Sequence, residues 1–305
     1  MDNKQESRYY KYSDYLKKTF GTRVFKITID AGFSCPNRDG TISTGGCIFC
    51  DETGSFSMGH DNCLSINNQI FQGIEYLRKR HKAEKFFAYF QAFTNTYKDV
   101  DDLKNIYDSA FCDPSIVGIS IGTRPDCVED EKLDLIASYP NPQIEFGLQT
   151  IHDETLKFIN RGHDYKTFED AYFRAKKRGI KVCVHVILGL PYETRSMMLE
   201  TAKKLGELEV DGVKLHCLTI LKGSKLEKYA DDIRLLTEEE YANLVVDFFE
   251  YLSPDTTIHR IAGSGLRSLT VLPNWINHKF HTQNLVDRIM WEKNIRQGDK
   301  FKLRS

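Results

Sequence analysis

Six β-rich runs alternate with helical segments at intervals of roughly thirty residues, and that rhythm limits the chain to a series of βα units. The runs are RVFKITID (23–30), KFFAYFQA (85–92), IVGISIGT (116–123), QIEFGLQT (143–150), KVCVHVILGL (181–190) and GVKLHCLTIL (212–221). Amphipathic stretches lie between them; Ile66, Ile70, Ile74 and Leu77, for example, share one helical face. Parallel strands joined by right-handed crossovers curl into a barrel or part of one. The expected fold is therefore α/β, a partial (β/α)6 TIM-like barrel at 21–221. A helical lead-in occupies 1–20 and an α/β extension at 222–305 closes one side, with helices expected at about 237–252 and 284–296.

A chain of 305 residues can bury a large core. Its polar start, MDNKQESRYYKYSDYLKK, does not read as a secretory signal, and no apolar run approaches the roughly eighteen residues of a membrane span. A cytoplasmic protein with no membrane partner is expected. In that setting eight cysteines predict reduced thiols and metal ligands rather than disulfides. The net charge of -1 gives no overall attraction to nucleic acid, although basic stretches at 78–85, 176–181 and 288–304 would permit an RNA partner.

In β/α barrels chemistry collects where the strands end, because the βα loops form the open face there. Polar residues fall at those ends in this chain. Gln91 and the FTNTY run follow strand two; Thr123, Arg124 and Asp126 follow strand three. Gln149 ends strand four and Gly189 strand five, while Lys214 and His216 lie within strand six and share a face if alternation holds. Together they describe one polar-lined mouth.

After strand one comes CPNRDGTISTGGCIFC, with Cys35, Cys47 and Cys50 in one loop. The Cys-x-x-Cys pair lets two sulfurs reach one metal centre, and Gly40, Gly45 and Gly46 can turn the backbone round it. Two readings fit this spacing. One is a zinc site with His60 or Cys63 as fourth ligand; the other is a 4Fe-4S cluster whose fourth iron has no protein ligand. Cys127, Cys183 and Cys217 show no second cluster spacing and are expected as small buried apolar residues.

The cysteine loop, with Phe49 before its last cysteine, resembles that of the radical S-adenosylmethionine (SAM) enzymes. AGFSCPNRDGT (31–41), TRPD (123–126), FGLQT (146–150), NRGH (160–163), LGLPYET (188–194), VDGVKLH (210–216) and PNW (273–275) are similar, in order, to the YhcC/YtqA-like group. That group is related to the radical SAM core of the Elongator catalytic subunit. The resemblance implies a barrel of the radical SAM type in which Cys35, Cys47 and Cys50 hold three irons of a 4Fe-4S cluster and SAM chelates the fourth. Reductive cleavage then yields methionine and a 5'-deoxyadenosyl radical, with flavodoxin or ferredoxin as the expected electron donor.

By the same resemblance, Phe49 packs beside the adenine, and Ile187, Leu188 and Gly189 border it. Gln91 and Thr94 stand where the SAM amino group is met, Gln149 and Arg161 hold SAM, and Arg161 faces the methionine carboxylate. Relatives often carry a glutamate before TRPD for the ribose; this chain has Gly122, which leaves Asp126 as the expected contact. Lys214 and His216 are the expected catalytic residues on the substrate side. The implied substrate is tRNA, at the C5 side chain of a wobble uridine, without the acetyltransferase step for which this chain has no room. A small-molecule or porphyrin-like substrate, and a zinc-stabilised RNA-binding module without catalysis, are the alternatives.

Overall fold

The computed structural model describes residues 6–51, 54, 64–263 and 268–302. Strands β1 (Val24–Ile29), β2 (Lys85–Phe90), β3 (Ile116–Thr123), β4 (Gln143–Gln149), β5 (Lys181–Leu188) and β6 (Gly212–Cys217) pair in parallel in that order. The expected sixth run breaks after Cys217. Its remainder, β7 (Ile220–Leu221), leaves the sheet and pairs antiparallel with β9 (Thr270–Leu272). Between them in sequence, β8 (Thr257–Arg260) joins the sheet as a seventh parallel strand beside β6. The extension thus builds part of the half-barrel itself. A four-residue strand offers too few positions for an alternation signal, which is why the sequence pattern stops at six.

The helices are α1 (Tyr12–Phe20), α2 (Ile66–His81), α3 (Val100–Ser109), α4 (Asp130–Ala137), α5 (Asp153–Phe158), α6 (Tyr165–Lys177), α7 (Arg195–Glu207), α8 (Glu238–Tyr251) and α9 (Lys279–Glu292). α8 starts as expected, at a capping box in which Thr237 and Glu240 satisfy each other's backbone N–H groups. α9 begins earlier than its apolar pattern suggests. No side chain caps its N-terminus; instead Glu238 of α8 accepts from Thr282 at 2.6 Å and pairs with His281 at 2.9 Å. None of the described helices is long and apolar enough to cross a membrane.

Strand alternation sorts the sheet into two faces. Ile27, Phe86, Phe90, Ile121, Ile144, Phe146, Val184 and Leu215 turn outward and are buried in the helix-covered core. Each such side chain contributes about 1.5–3 kcal/mol by leaving water. On α2, Gly73 lets the helix sit directly on β1, since a Cβ there would lie 2.5 Å from Ile27 Cγ2. The alternate positions turn inward and are largely polar: Lys26, Tyr89, Ser120, Glu145, His185 and Lys214.

The far edge of β8 is covered by residues 8–11. Ile258 N–H donates to Tyr10 O at 2.8 Å, and Gln297 links Tyr10 N–H (2.9 Å) and Arg8 O (3.0 Å) to the end of the chain. Several cations of the basic stretches are engaged on this outer surface. Arg178 pairs with Asp130 and Asp134, Lys176 and Lys181 with Asp211, and Lys300 with Glu250.

Candidate active site

The cysteine loop folds on its own backbone and is then held from outside. Arg38 N–H returns to Cys35 O at 2.8 Å, Gly46 N–H to Asn37 O at 2.8 Å, and Cys50 N–H to Cys47 O at 3.1 Å. The NRGH stretch supplies the external clamp. Asn160 Nδ2 donates to Ser43 Oγ and to Gly46 O, each at 2.9 Å, while its own carbonyl accepts from Asn37 Nδ2 at 2.6 Å. Gly162 follows with φ of 78°, and a Cβ there would come within 2.9 Å of Asn37 Oδ1 and 3.1 Å of Arg124 Nη2. Glycine is required on both counts, the backbone angle and the space.

Arg161 lies beneath the loop. Its Nε and Nη2 donate to Gly147 O at 3.0 and 2.6 Å, and Nη1 reaches Cys47 Sγ at 3.6 Å. Asn37 Nδ2 stands 3.5 Å from the same sulfur. A hydrogen bond from Cys50, then the Arg161 and Arg124 guanidinium groups, hold the Cys47 thiol well below its ordinary range, favouring thiolate. The same Cys50–Cys47 hydrogen bond, with burial, pushes Cys50 up. None of Cys35, Cys47 and Cys50 is in a disulfide. His60 and Cys63, the expected zinc ligands, lie outside the described residues.

One cavity of about 270 Å³ gathers most of the expected site: Cys35, Cys47, Phe49, Cys50, Gln91, Thr94, Gln149, Arg161, Ile187, Lys214 and His216. Three expected residues are not on its wall. Asp126 is bound to Arg124 in a bidentate pair, 2.9 and 2.7 Å, and stands behind the wall rather than on it. Leu188 is fully buried in the apolar core, and Gly189 faces a separate, larger cavity of about 1080 Å³. Ile48 lines that larger space while its neighbours Cys47 and Phe49 line the smaller, so the loop is the partition between them.

The turn after β2 explains how Thr94 reaches the loop. Ala92 and Phe93 both take positive φ, 80° and 57°, and this reversal lets Thr94 N–H donate to Ser34 O at 3.1 Å. Thr94 Oγ1 is buried with no hydrogen-bond partner, and so is Arg124 Nη1. An orphaned buried donor is costly unless something absent completes it. The Arg161 fork, by contrast, is already engaged by Gly147 and Cys47.

Glu145 was missed in the sequence. It is fully buried beneath the cysteines and accepts from Tyr89 OH (2.8 Å) and Ser120 Oγ (3.2 Å), pairs with His185 (2.7 Å), and binds both Lys26 and Lys214. Burial alone would raise its pKa, but Lys214 and Lys26 hold it well below the ordinary carboxylate range. Burial and Lys214 bring His185 down to about 4, so it is neutral. The position of Glu145 is informative. It pairs in register with Gly122, so the interior carboxylate missing before TRPD stands one strand over. Alternation through Glu145, Gly147 and Gln149 puts it on the inner face, but does not mark it as enclosed. Cys127, Cys183 and Cys217 are buried as expected, with burial pushing the Cys127 thiol up to about 12.

Comparison with known proteins matches residues 39–205 to the Radical SAM superfamily and 210–292 to the Radical SAM C-terminal domain. YtqA of Bacillus subtilis is 38% identical over 301 residues, covering 97% of this chain and 94% of its own. YhcC of Escherichia coli is 38% identical over 286 residues, 92% and 91% of the two chains. Among solved structures, N-terminally truncated Elp3 of Methanocaldococcus infernus shares the fold, with a TM-score of 0.69 and 17% identity over 90% of this chain and 64% of that one. These matches decide against a zinc-stabilised module without catalysis. The half-barrel, its motifs and relatives that run nearly its whole length place this chain in the radical SAM superfamily of enzymes.

Proposed function

We propose that Cys35, Cys47 and Cys50 hold a 4Fe-4S cluster and that SAM occupies the cavity beside it, for modification of a tRNA wobble uridine at its C5 side chain. The observation that carries the cofactor assignment is the coincidence, on one cavity, of three thiols outside any disulfide with residues whose buried polar atoms lack partners, Thr94 and Arg124. A Cβ at Gly147 would lie 2.6 Å from Arg161 Nη2 and 2.8 Å from Gln149 Nε2, so glycine is what lets both side chains pack directly over this backbone.

When bound, the cluster and SAM supply a one-electron reductive cleavage and a 5'-deoxyadenosyl radical. The chain's residues set the stage for it. Arg161 and Arg124 offset the thiolate charge, and Asn37 with Asn160 fixes the loop that carries it. Arg124 and Arg161, both on the cavity wall, would supply the positive charge for the methionine carboxylate, with Arg161 fixed by its bonds to Gly147 O. Phe49 and Ile187 furnish apolar wall for the adenine, and Gln91, Thr94 and Gln149 furnish polar contacts. Lys214 is held toward the cavity by Glu145 and Tyr89. Support for tRNA comes from the resemblance to the Elongator catalytic subunit rather than from the basic stretches, many of whose cations are ion-paired. A cytoplasmic enzyme served by flavodoxin or ferredoxin completes the reading.

Two measurements test it. Anaerobically reconstituted protein is expected to be brown, to carry about four irons per chain, and to release 5'-deoxyadenosine from SAM on reduction. Mass spectrometry of nucleosides from wild-type and deletion tRNA is expected to differ at one wobble-uridine derivative; identical profiles would turn the search to small-molecule substrates.

A further inference from the structure

The wall built by β6 and β8 stands at the opposite end of the strand order from the cysteine loop, and its charge is unbalanced. Among the described residues lining the cavity, Glu145 is the sole carboxylate, against Arg38, Arg124, Arg161, Lys214 and Arg260. Most of these cations have a counterpart. Glu145 takes Lys214 together with Lys26, Asp126 takes Arg124, Arg161 stands against Cys47, and Arg38 donates to Asp51 O. Arg260 has no hydrogen-bond or ion-pair partner among the described residues, although it is half-buried.

His216, on the neighbouring strand, adds a second open position. Its Nε2 is buried without a partner. Burial, first, and the surrounding His185, Arg260 and Lys214 push its pKa well down, so the ring is neutral and keeps one N–H to donate. Gly263 lets both side chains approach its backbone closely, and so one another. A Cβ at that position would sit 2.7 Å from His216 Nδ1 and 3.5 Å from Arg260 Nη1.

A guanidinium withdrawn from bulk water and left without a counter-ion is unfavourable, and a planar oxyanion is the group that its fork matches. We infer that Arg260 and His216 form an oxyanion subsite for the substrate, which therefore carries a carboxylate or a phosphate ester that docks on the β6–β8 wall. This inference rests on reading the cavity as the radical SAM site. The oxyanion is the substrate's rather than that of SAM because Arg124 and Arg161 serve the latter beside the cysteines. Carboxylate and phosphate share the chemistry; their sizes and charges let experiment separate them.

The test is calorimetric titration of sodium acetate and of inorganic phosphate, at constant ionic strength, into full-length protein carrying its cluster and saturated with SAM. The wild type is expected to bind at least one of them saturably. R260A is expected to weaken that binding about tenfold or more, and H216Q to weaken it less. Preference for acetate assigns a carboxylate and preference for phosphate a phosphate ester, each in support. Saturable binding by neither anion, or equal affinity in R260A and wild type, overturns the subsite. Should R260A fail to fold by circular dichroism, R260Q decides on the same criterion. SAM cleavage is measured on the same reconstituted protein, so that anion binding without SAM cleavage counts against the cofactor reading alone. SAM cleavage without anion binding counts against the subsite alone.

Discussion

Two polar layers line the inside of this half-barrel. In the lower one, every contact of Glu145 is made: two lysines, a tyrosine, a serine and a histidine surround a fully buried carboxylate. In the upper one, next to Cys35, Cys47 and Cys50, buried atoms of Thr94 and Arg124 remain without partners. Both layers are buried and charged, so neither burial nor charge distinguishes them. Completion does. The lower network is complete within the fold, whereas the upper one leaves buried polar atoms on the wall of a cavity beside three thiols.

Substitutions can break this division or sharpen it. The largest effect is expected from Cys47→Ala, and likewise from Cys35→Ala and Cys50→Ala. Loss of one of three thiolates should lower bound iron and reduce 5'-deoxyadenosine release roughly a hundredfold or more, with little change in unfolding midpoint. Iron analysis and chromatography of the reduced mixture check it, and a variant that keeps its brown colour would dissolve the distinction.

Glu145→Ala should show the reverse emphasis. Removing the carboxylate leaves Lys26 and Lys214 buried together, at a cost of about 3–5 kcal/mol of folding stability measured by urea titration. The pH dependence has a definite sign. The folded pKa of Glu145 is depressed, so its contribution is complete above the unfolded value of about 4.3 and is lost as pH falls through the folded one. In Glu145→Gln, the loss of stability on acidification below that value should shrink.

Between these extremes stands Asn160→Ala, which deletes two hydrogen bonds to the loop without touching a sulfur. It should cost about 1–3 kcal/mol and lower iron retention on gel filtration, because the clamp both stabilises the fold and holds the loop that carries the thiols. The smallest effect is expected at Thr237, whose capping box on α8 lies away from both layers. Thr237→Ala should cost about 1 kcal/mol and leave iron content unchanged.

The sequence exposes the upper layer far better than the lower. Cys35, Cys47 and Cys50 lie within one short loop, and their chemistry is visible in spacing alone. Glu145 is hidden because its partners are distant along the chain, 69 residues away for Lys214 and 119 for Lys26. Nothing local in QIEFGLQT marks its glutamate as buried. The alternation of Ile144, Phe146 and Leu148 places it on the inner face, but only tertiary folding shows that this face is enclosed. Asp126 is hidden in another way: its place in TRPD suggests a ligand contact, and the motif gives no sign that the side chain two residues back pairs with it. β8 was legible in neither composition nor period, and it carries Arg260.

The clasp over β8 has a temporal consequence. The strand is bordered by residues 8–11 on one edge and is reached through Gln297, so its final seating brings together segments 287 residues apart in the sequence. Translation delivers the cysteine loop early, when Cys50 emerges, and the Arg260 wall only about 200 residues later. A nascent chain that has emerged past Cys50 therefore carries its three thiols on an unfinished barrel, before the Arg260 wall exists.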